Sequence, residues 1–551
     1  MTSGSACPGA GKEVRDEALL LKKHSIHDSL LLRRYDYFLR FLLKGALAGT
    51  SAGVVGVAFR LVLTEGDLWR NELLRWAHTI PGWGWLVLPC LGALAGALAG
   101  WLTSFAPETA GSGIPHVEAV LISQRELLWW RVIPVKFIAG ALAIGAGLSL
   151  GREGPTVQMG AAAGQAVSKS FSRSKTEELH LIACGAGAGL AAAFNAPLAG
   201  VVFVLEELRR NFSPYVLGGA LAASVTADLI SQRILGPLPT FRIKELLPLP
   251  LSTLPAFLVL GILTGVLGVA FNRTLQGSLD VADRLKGLPR WLRASLAVSL
   301  AGVLGYFLPQ VLGGGHQLAE DVLWGRVNVG IIPLLFAVKF LLTMLSYSVG
   351  VPGGIFLPLL VLGALLGSFV GEISGLLIPG FQGLGPSFAV IGMAAYFVAI
   401  VRSPLTGIVL IIEMTGNYQH ILPLLFTCMI AYIVAEALGC LPVYEMLLER
   451  DLARAKDDAI SKPSIDNNKD KMLVVETVVE SGASACDCRV KDLALPVDCL
   501  LVTIRRGARE IIPRGNTRLL EGDHLTVIVP ENRAAAINEA LAKVTRCNLK
   551  V

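Results

Sequence analysis

Gly151-Arg152-Glu153-Gly154-Pro155 lies in the middle of a long apolar region, between Ile144-Gly145-Ala146-Gly147-Leu148-Ser149-Leu150 and Thr156-Val157-Gln158-Met159-Gly160-Ala161-Ala162-Ala163-Gly164. An arginine beside a glutamate at membrane depth costs several kcal/mol unless the pair faces protein or water, so such a pair marks a functional pathway by default. The flanking glycines let the backbone approach a ligand. Pro155 suits the first turn of a helix, where its missing N–H would be unpaired anyway. The stretch predicts a broken helix whose free N–H groups and positive dipole end face a cavity. That arrangement suits an anion, and Glu153 puts a carboxylate where the anion would sit.

Outward from this stretch the chain stays apolar. Of its 551 residues 53% are hydrophobic and 16% charged, with a mean hydropathy of +0.61. Apolar runs recur from about Phe38 to Leu441, as in Gly84 to Leu102, Leu254 to Phe271, Ile331 to Met344 and Ile421 to Leu438. A spanning helix needs about 20 apolar residues, which leaves room for on the order of a dozen crossings. The class is therefore an all-α polytopic membrane protein. Its 59 glycines and 28 prolines exceed what plain spanning helices require, so many segments should be short, tilted or interrupted. A net charge of +6, spread over loops and ends, excludes nucleic acid as a partner. The nine cysteines have neither zinc-ligand spacing nor a disulfide framework, and the membrane region calls for no metal or cofactor.

Residues 1–35 form a polar lead with an amphipathic stretch from Leu19 to Leu32 and no apolar core of a signal peptide. Lys12, Arg15, Lys22, Lys23, Arg33, Arg34 and Arg40 place this end in the cytoplasm, and Arg450, Arg454 and Lys456 do the same for the end of the last apolar segment. Both termini are then cytoplasmic and the number of crossings is even.

The apolar region repeats itself. Pro197, Gly200 and Glu206 match Pro404, Gly407 and Glu413, each 207 positions apart, as do Gly185 and Gly392. Gly151, Pro155, Gly160 and Gly164 match Gly354, Pro358, Gly363 and Gly367, each 203 apart. Two matches in one order mean a duplication, about 38–235 and 250–440. Inverted halves of odd crossing number agree with both ends inside, and inverted repeats hold their site near mid-membrane between equivalent half-helices. Those half-helices begin at Gly151 to Pro155 and Gly354 to Pro358. Gly111-Ser112-Gly113-Ile114-Pro115 has the same form, and Ser112 serves equally as a donor to an anion or as a plain helix cap. Beyond a polar linker, 456–471, residues 472–551 read as a small β-rich α/β domain. Its strands are expected at Leu473 to Val479, Leu500 to Ile504 and Leu525 to Val529, its turns at Gly515-Asn516 and Glu521-Gly522-Asp523, and its helix at Arg533 to Ala542.

With these residues in hand, residues 36–455 closely resemble the CLC family of chloride channels and chloride/proton exchangers. The resemblance rests on Gly111 to Pro115, Gly151 to Pro155, Gly354-Ile355-Phe356-Leu357-Pro358, Phe194-Asn195-Ala196-Pro197-Leu198-Ala199-Gly200 and Pro442-Val443-Tyr444. It implies that Ser112 and Tyr444 hold a dehydrated chloride through their hydroxyls, with the N–H groups of Ile355 and Phe356. Gly113, Arg152, Gly154 and Leu357 complete the anion-binding stretches. Glu153 would be the external gate, ionised in the anion's place and swinging away when protonated. Homodimers with one pathway per subunit are implied as well. Serine at position 112 goes with chloride in the family, with nitrate or bromide as passengers.

Glu207 falls where exchangers of the family carry the inner proton-transferring glutamate and most channels an apolar residue. From local sequence alone it is a solvated partner of Arg209 and Arg210; the motif match makes it the inner proton carrier. Glu206, matched by Glu413, is expected to have a structural role. The tail stretches Leu500 to Ile504, Glu510 to Gly515 and Leu520 to Leu525 resemble the C-terminal module of RCK, the regulators of potassium conductance. That implies a regulatory domain binding a small molecule or nucleotide, and a bacterial inner membrane. The resulting expectation is a chloride/proton antiporter and no enzyme, with a passive chloride channel as the alternative. An intramembrane hydrolase would need Glu153 and Glu207 within about 10 Å of each other around a cleft. A potassium transport subunit lacks the carbonyl-lined filter loop.

Overall fold

Close approach of helices, not their number, organises the membrane part. The computed structural model describes residues 10–461 except 173, 211, 242, 244–248 and 286, then 472–480, 483–493, 499–506, 509–530, 537, 540–541 and 544–545. The first eight helices are α1 (Ala10–His78), α2 (Val87–Phe105), α3 (Ile114–Leu121), α4 (Trp129–Gly145), α5 (Glu153–Phe171), α6 (Lys175–Phe194), α7 (Pro197–Phe203) and α8 (Pro214–Leu235). The next eight repeat their order: α9 (Leu254–Arg284), α10 (Arg290–Phe307), α11 (His316–Leu323), α12 (Ile332–Ser348), α13 (Phe356–Leu377), α14 (Gly385–Val401), α15 (Pro404–Thr415) and α16 (Ile421–Ala437). A further helix, α17 (Val443–Ser461), follows.

The matched glycines are packing residues. A Cβ at Gly160 would strike Gly185 O, and one at Gly363 would strike Gly392 O, so α5 meets α6 as α13 meets α14, backbone against backbone. These four helices form the dry centre, while α1, α2, α8, α9, α10 and α16 turn residues such as Leu43, Leu94, Trp101, Leu229, Val259, Leu300 and Leu422 outward. The halves are joined through equivalent residues, Gly151 and Gly354, in an antiparallel bridge, as an inverted repeat requires.

Six helices among the described residues are long and apolar enough to cross a membrane alone, the rest being shorter or more polar. The cause is the broken helices the glycines and prolines announce: α3, α7 and α11 have eight, seven and eight residues. The polar lead is also not separate, because α1 runs unbroken from Ala10 into the first apolar segment. Likewise α17 runs on to Ser461, through the first part of the predicted linker, whose remainder lies outside the described residues.

The chain divides into compact units at 1–455 and 456–551. In the second, β1 (Met472–Val478), β2 (Leu500–Arg506), β3 (Arg509–Ile511) and β4 (His524–Pro530) form an antiparallel sheet ordered β1-β4-β2-β3. Leu525, Val527 and Val529 alternate inward along β4 against Ile504, Leu519, Ile537 and Leu541. The short β3 was not foreseen. Most of the helix expected at Arg533 to Ala542 lies outside the described residues, but Ile537, Ala540 and Leu541 are helical. Asp523 is wholly buried and takes a two-pronged bond from Arg506, Nε to Oδ1 and Nη2 to Oδ2, each 2.7 Å. Burial pushes its carboxyl up, but the bonds from Arg506 and the Leu520 N–H outweigh that and hold it below the ordinary carboxylate range.

Candidate anion and proton pathway

Three glycine-rich stretches from distant parts of the chain are stitched together by backbone bonds. Gly111 N–H donates to Val351 O at 3.1 Å and Gly353 N–H to Gly111 O at 3.0 Å; Gly151 N–H donates to Gly354 O at 2.6 Å and Gly354 N–H to Gly151 O at 2.8 Å. Each stretch then opens a helix: Ile114 starts α3, Glu153 starts α5 and Phe356 starts α13. Only glycine fits at Gly113, where φ is +88° and a Cβ would overlap Gln158. The result gathers the N-termini of α3, α5 and α13, each carrying partial positive charge from unpaired N–H groups.

The Glu153 side chain is fully buried. Its carboxylate lies against the N–H groups of Glu153 itself and of Leu357, the latter from the opposite half. The fit falls short of full hydrogen bonds, for both oxygens lack a well-formed partner among the described residues. Arg152 Nε stands 3.9 Å from Glu153 Oε1 and also lacks a hydrogen-bond partner. Gly154 packs on Ser112, leaving no room for a Cβ between them.

Ser112 Oγ and Tyr444 Oη are both buried without a partner among the described residues. The Ser112 side chain is therefore not the helix cap, and Gly113, the cap residue of α3, has no side chain to serve instead. Ser112 N–H points at Tyr347 Oη, 3.5 Å away. Tyr444 lies within electrostatic reach of Tyr347, Glu153, Glu118 and Glu207. No partner for the N–H groups of Ile355 and Phe356 is found among the described residues. The Phe356 ring is wedged between Phe194 and Phe397, with ring centres at 5.6 and 4.6 Å. Gly154 thus touches Ser112, Glu153 reaches the Leu357 N–H of the other half, and Tyr444 lies within electrostatic reach of Glu153, while Ile355 and Phe356 follow the bridged Gly354. Arg152, paired with Glu153, also lines a cavity of about 380 Å³ together with Arg70, His316 and Leu357.

Glu207 is buried, and it lies in a wide-turn stretch, Val204–Leu208, that ends the α7 segment. One oxygen accepts a hydrogen bond from Ser403 Oγ while the other has no partner. Arg210 reaches Glu445 at 3.7 Å, so the solvated Glu207–arginine pair of the local reading is not what forms. Glu206 accepts from the N–H groups of Leu405 and Thr406 at 3.1 and 2.7 Å, and Glu413 from those of Leu198 and Ala199 at 3.0 and 2.7 Å. The two are reciprocal caps of α15 and α7. Asn195 of the Phe194 to Gly200 stretch is a hub as well, accepting from Arg60 and Ser231 and donating to Gly236 O and Leu238 O.

Sequence reasoning missed four participants. Tyr347 gives no local signal. Glu118 is a buried carboxylate beside Glu207, detectable as a charge inside an apolar helix. Lys136 and Lys339 are fully buried, 203 positions apart, an offset that would have found them. Lys136 Nζ holds Thr109 O and Gly111 O at 2.9 and 2.8 Å, and Lys339 Nζ holds Val311 O and Gly313 O at 2.9 and 2.7 Å.

Residues 95–436 match the family model described as voltage gated chloride channel, and residues 474–542 match the TrkA-C domain. The chain is 39% identical over 439 residues to the H(+)/Cl(-) exchange transporter ClcA of Salmonella paratyphi B, covering 78% of this chain and 93% of the relative. To the protein of that name in Vibrio parahaemolyticus it is 41% identical over 437 residues, covering 78% and 92%. Among solved structures it resembles a slow cyanobacterial Cl-/H+ antiporter, with a TM-score of 0.73 and 39% identity over 76% of this chain and 99% of that one.

Proposed function

This chain belongs to the voltage gated chloride channel family, and on that premise we propose that it exchanges chloride for protons across a membrane. The observation that carries this reading is the seat of Glu153: a carboxylate occupying the N-terminus of the opposite half's helix, where an anion would otherwise rest. An ionised Glu153 competes with chloride for the same positive helix ends. Once protonated it loses that attraction and yields the place. Chloride and the proton then use one position in alternation, which is what couples their movements.

Deeper in, the unpartnered hydroxyls of Ser112 and Tyr444 decide which ion is held. A buried donor left unpaired costs about 1–3 kcal/mol, so each of these hydroxyls favours an acceptor. Chloride satisfies both, and the N–H groups of Ile355 and Phe356 replace the rest of its lost water. Nitrate and bromide follow by the same contacts.

Glu207 separates an exchanger from a channel. Buried and held by Ser403, it serves as a proton carrier, which a passive channel does not need. Secondary active transport follows, with no catalysis of a chemical reaction. The setting we propose is a homodimer in a bacterial inner membrane with both termini cytoplasmic. Residues 472–551 serve as its regulatory domain and bind a small molecule or nucleotide; the membrane region uses no cofactor. Current across a planar bilayer tests the reading: its reversal potential should move with a pH difference at fixed chloride. A reversal potential that stays at the chloride equilibrium value makes the protein a channel.

A further inference from the structure

The two helices that carry the buried lysines are equivalent but not alike. Lys136 on α4 and Lys339 on α12 stand 203 positions apart, and at the same offset Gly140, Ala143 and Ile144 correspond to Thr343, Ser346 and Tyr347. The second half thus sets three buried hydroxyls on a helix face that the first half packs without any. Two of the three have bonds that explain them. Ser346 Oγ accepts from Ser149 N–H at 3.0 Å and Thr343 Oγ1 pairs with Ser149 Oγ at 2.7 Å, which pins α12 to the segment leading into Gly151. Tyr347, one residue on, turns to the other glycine-rich stretch. Its Oη accepts from Ser112 N–H at 3.5 Å and lies 3.1 Å from where a Gly111 Cβ would be.

We propose that Tyr347 donates its O–H to the transported anion, as a third hydroxyl beside those of Ser112 and Tyr444, and so strengthens the preference for chloride over larger anions. Resting on the reading of the chain as an anion transporter, this adds a binding residue to its site.

The proton of Tyr347 is the group without an assignment. A phenol oxygen both donates and accepts, and here it takes the Ser112 N–H, so its own proton points elsewhere. No acceptor for that proton is found among the described residues. Asp451, an acid within electrostatic reach, is paired with Arg125 at 3.2 Å. Packing does not ask for the hydroxyl either, since Ile144 fills the equivalent place in the first half. Ser112 Oγ and Tyr444 Oη are buried without partners as well, and Tyr444 lies within electrostatic reach of Tyr347. Buried donors need acceptors, and a monatomic anion accepts several at once from any direction. Chloride surrenders more hydration than bromide or thiocyanate on entering, so each added donor favours it over them.

Calorimetric titration of the full chain with chloride, bromide and thiocyanate tests this. Tyr347→Phe deletes the oxygen alone and keeps the bulk. Chloride affinity should fall about fivefold, bromide affinity less and thiocyanate affinity least. Because phenylalanine also loses the Ser112 N–H bond, a second variant separates the two roles. Tyr347→difluorotyrosine, compared with the parent in mildly acidic buffer so that the phenol keeps its proton, is the stronger donor and the weaker acceptor. It should bind chloride about threefold more tightly. Unchanged chloride affinity in Tyr347→Phe overturns the proposal, and so does an equal loss for all three anions. A difluorotyrosine protein that binds chloride no more tightly than the parent overturns it too, and leaves Tyr347 a prop for the Ser112 backbone. None of these results touches the transport reading, which is contradicted instead by a parent protein that binds no chloride.

Discussion

Gly151 and Gly354, equivalent residues of the two halves, exchange both backbone hydrogen bonds, at 2.6 and 2.8 Å. This pairing sets the N-termini of α5 and α13 against each other and puts the Leu357 N–H in front of the Glu153 carboxylate. The seat is so close that a Cβ on Gly151 would collide with Glu153 Oε2. Gly151→Ala should therefore evict the carboxylate rather than unfold the protein, since the end of a flexible side chain is what must move. The expected phenotype is that of a gate held open: chloride flux retained, protons carried per chloride reduced. Paired measurement of chloride and proton flux checks it.

Removal of the hydroxyls at Ser112 and Tyr444 should act on the ligand and not on the fold. Neither has a protein partner to lose, so Ser112→Ala and Tyr444→Phe should melt like the parent in chloride-free buffer. Each deletes one donor to the anion, worth about 1.5 kcal/mol, or roughly tenfold in chloride affinity. Calorimetric titration with chloride and the chloride-dependent rise in melting temperature read the two effects separately.

The reciprocal caps make the opposite prediction. Glu206 and Glu413 each accept from two backbone N–H groups at the start of the other half's helix, so Glu206→Ala and Glu413→Ala each strip a charged cap from an N-terminus. A loss of about 2 kcal/mol is expected from each, with proton coupling intact in whatever remains folded. Because the caps serve two different helices, the double variant should lose close to the sum.

In the C-terminal unit, pH gives a sign that can be worked out. The Asp523 carboxyl lies below its unfolded value of about 3.9, so its contribution is complete above that pH and is lost as pH falls through the folded value. Arg506→Met leaves a buried carboxylate without its cation and should weaken the β2–β4 pairing by about 2 kcal/mol at pH 7. Burial then dominates and the slope reverses, so the variant should recover stability as pH falls toward 4. Amide exchange of β2 and β4 in the full chain, corrected for intrinsic rate, reads both slopes.

How much of this was legible depended on whether the signal was local. Glycine and proline at fixed spacing mark a broken helix in any context, so the starts of α3, α5 and α13 and the duplication could be read directly. Glu207 was ambiguous for the same reason: its neighbours Arg209 and Arg210 suggested a solvated pair, and only the fold brings Ser403, 196 positions away, to its side. Tyr347, Glu118 and the two buried lysines act on residues far along the chain, and no short window shows such a contact.

Proton movement driven by chloride alone tests the central claim most directly. Vesicles containing the purified protein, loaded with chloride and diluted into chloride-free buffer at equal pH, should take up protons as chloride leaves. Glu153→Gln and Glu207→Gln should each abolish that uptake while chloride still passes. If the unaltered protein releases chloride and the outside pH does not rise, Glu153 and Glu207 form no proton route and the account of exchange is wrong.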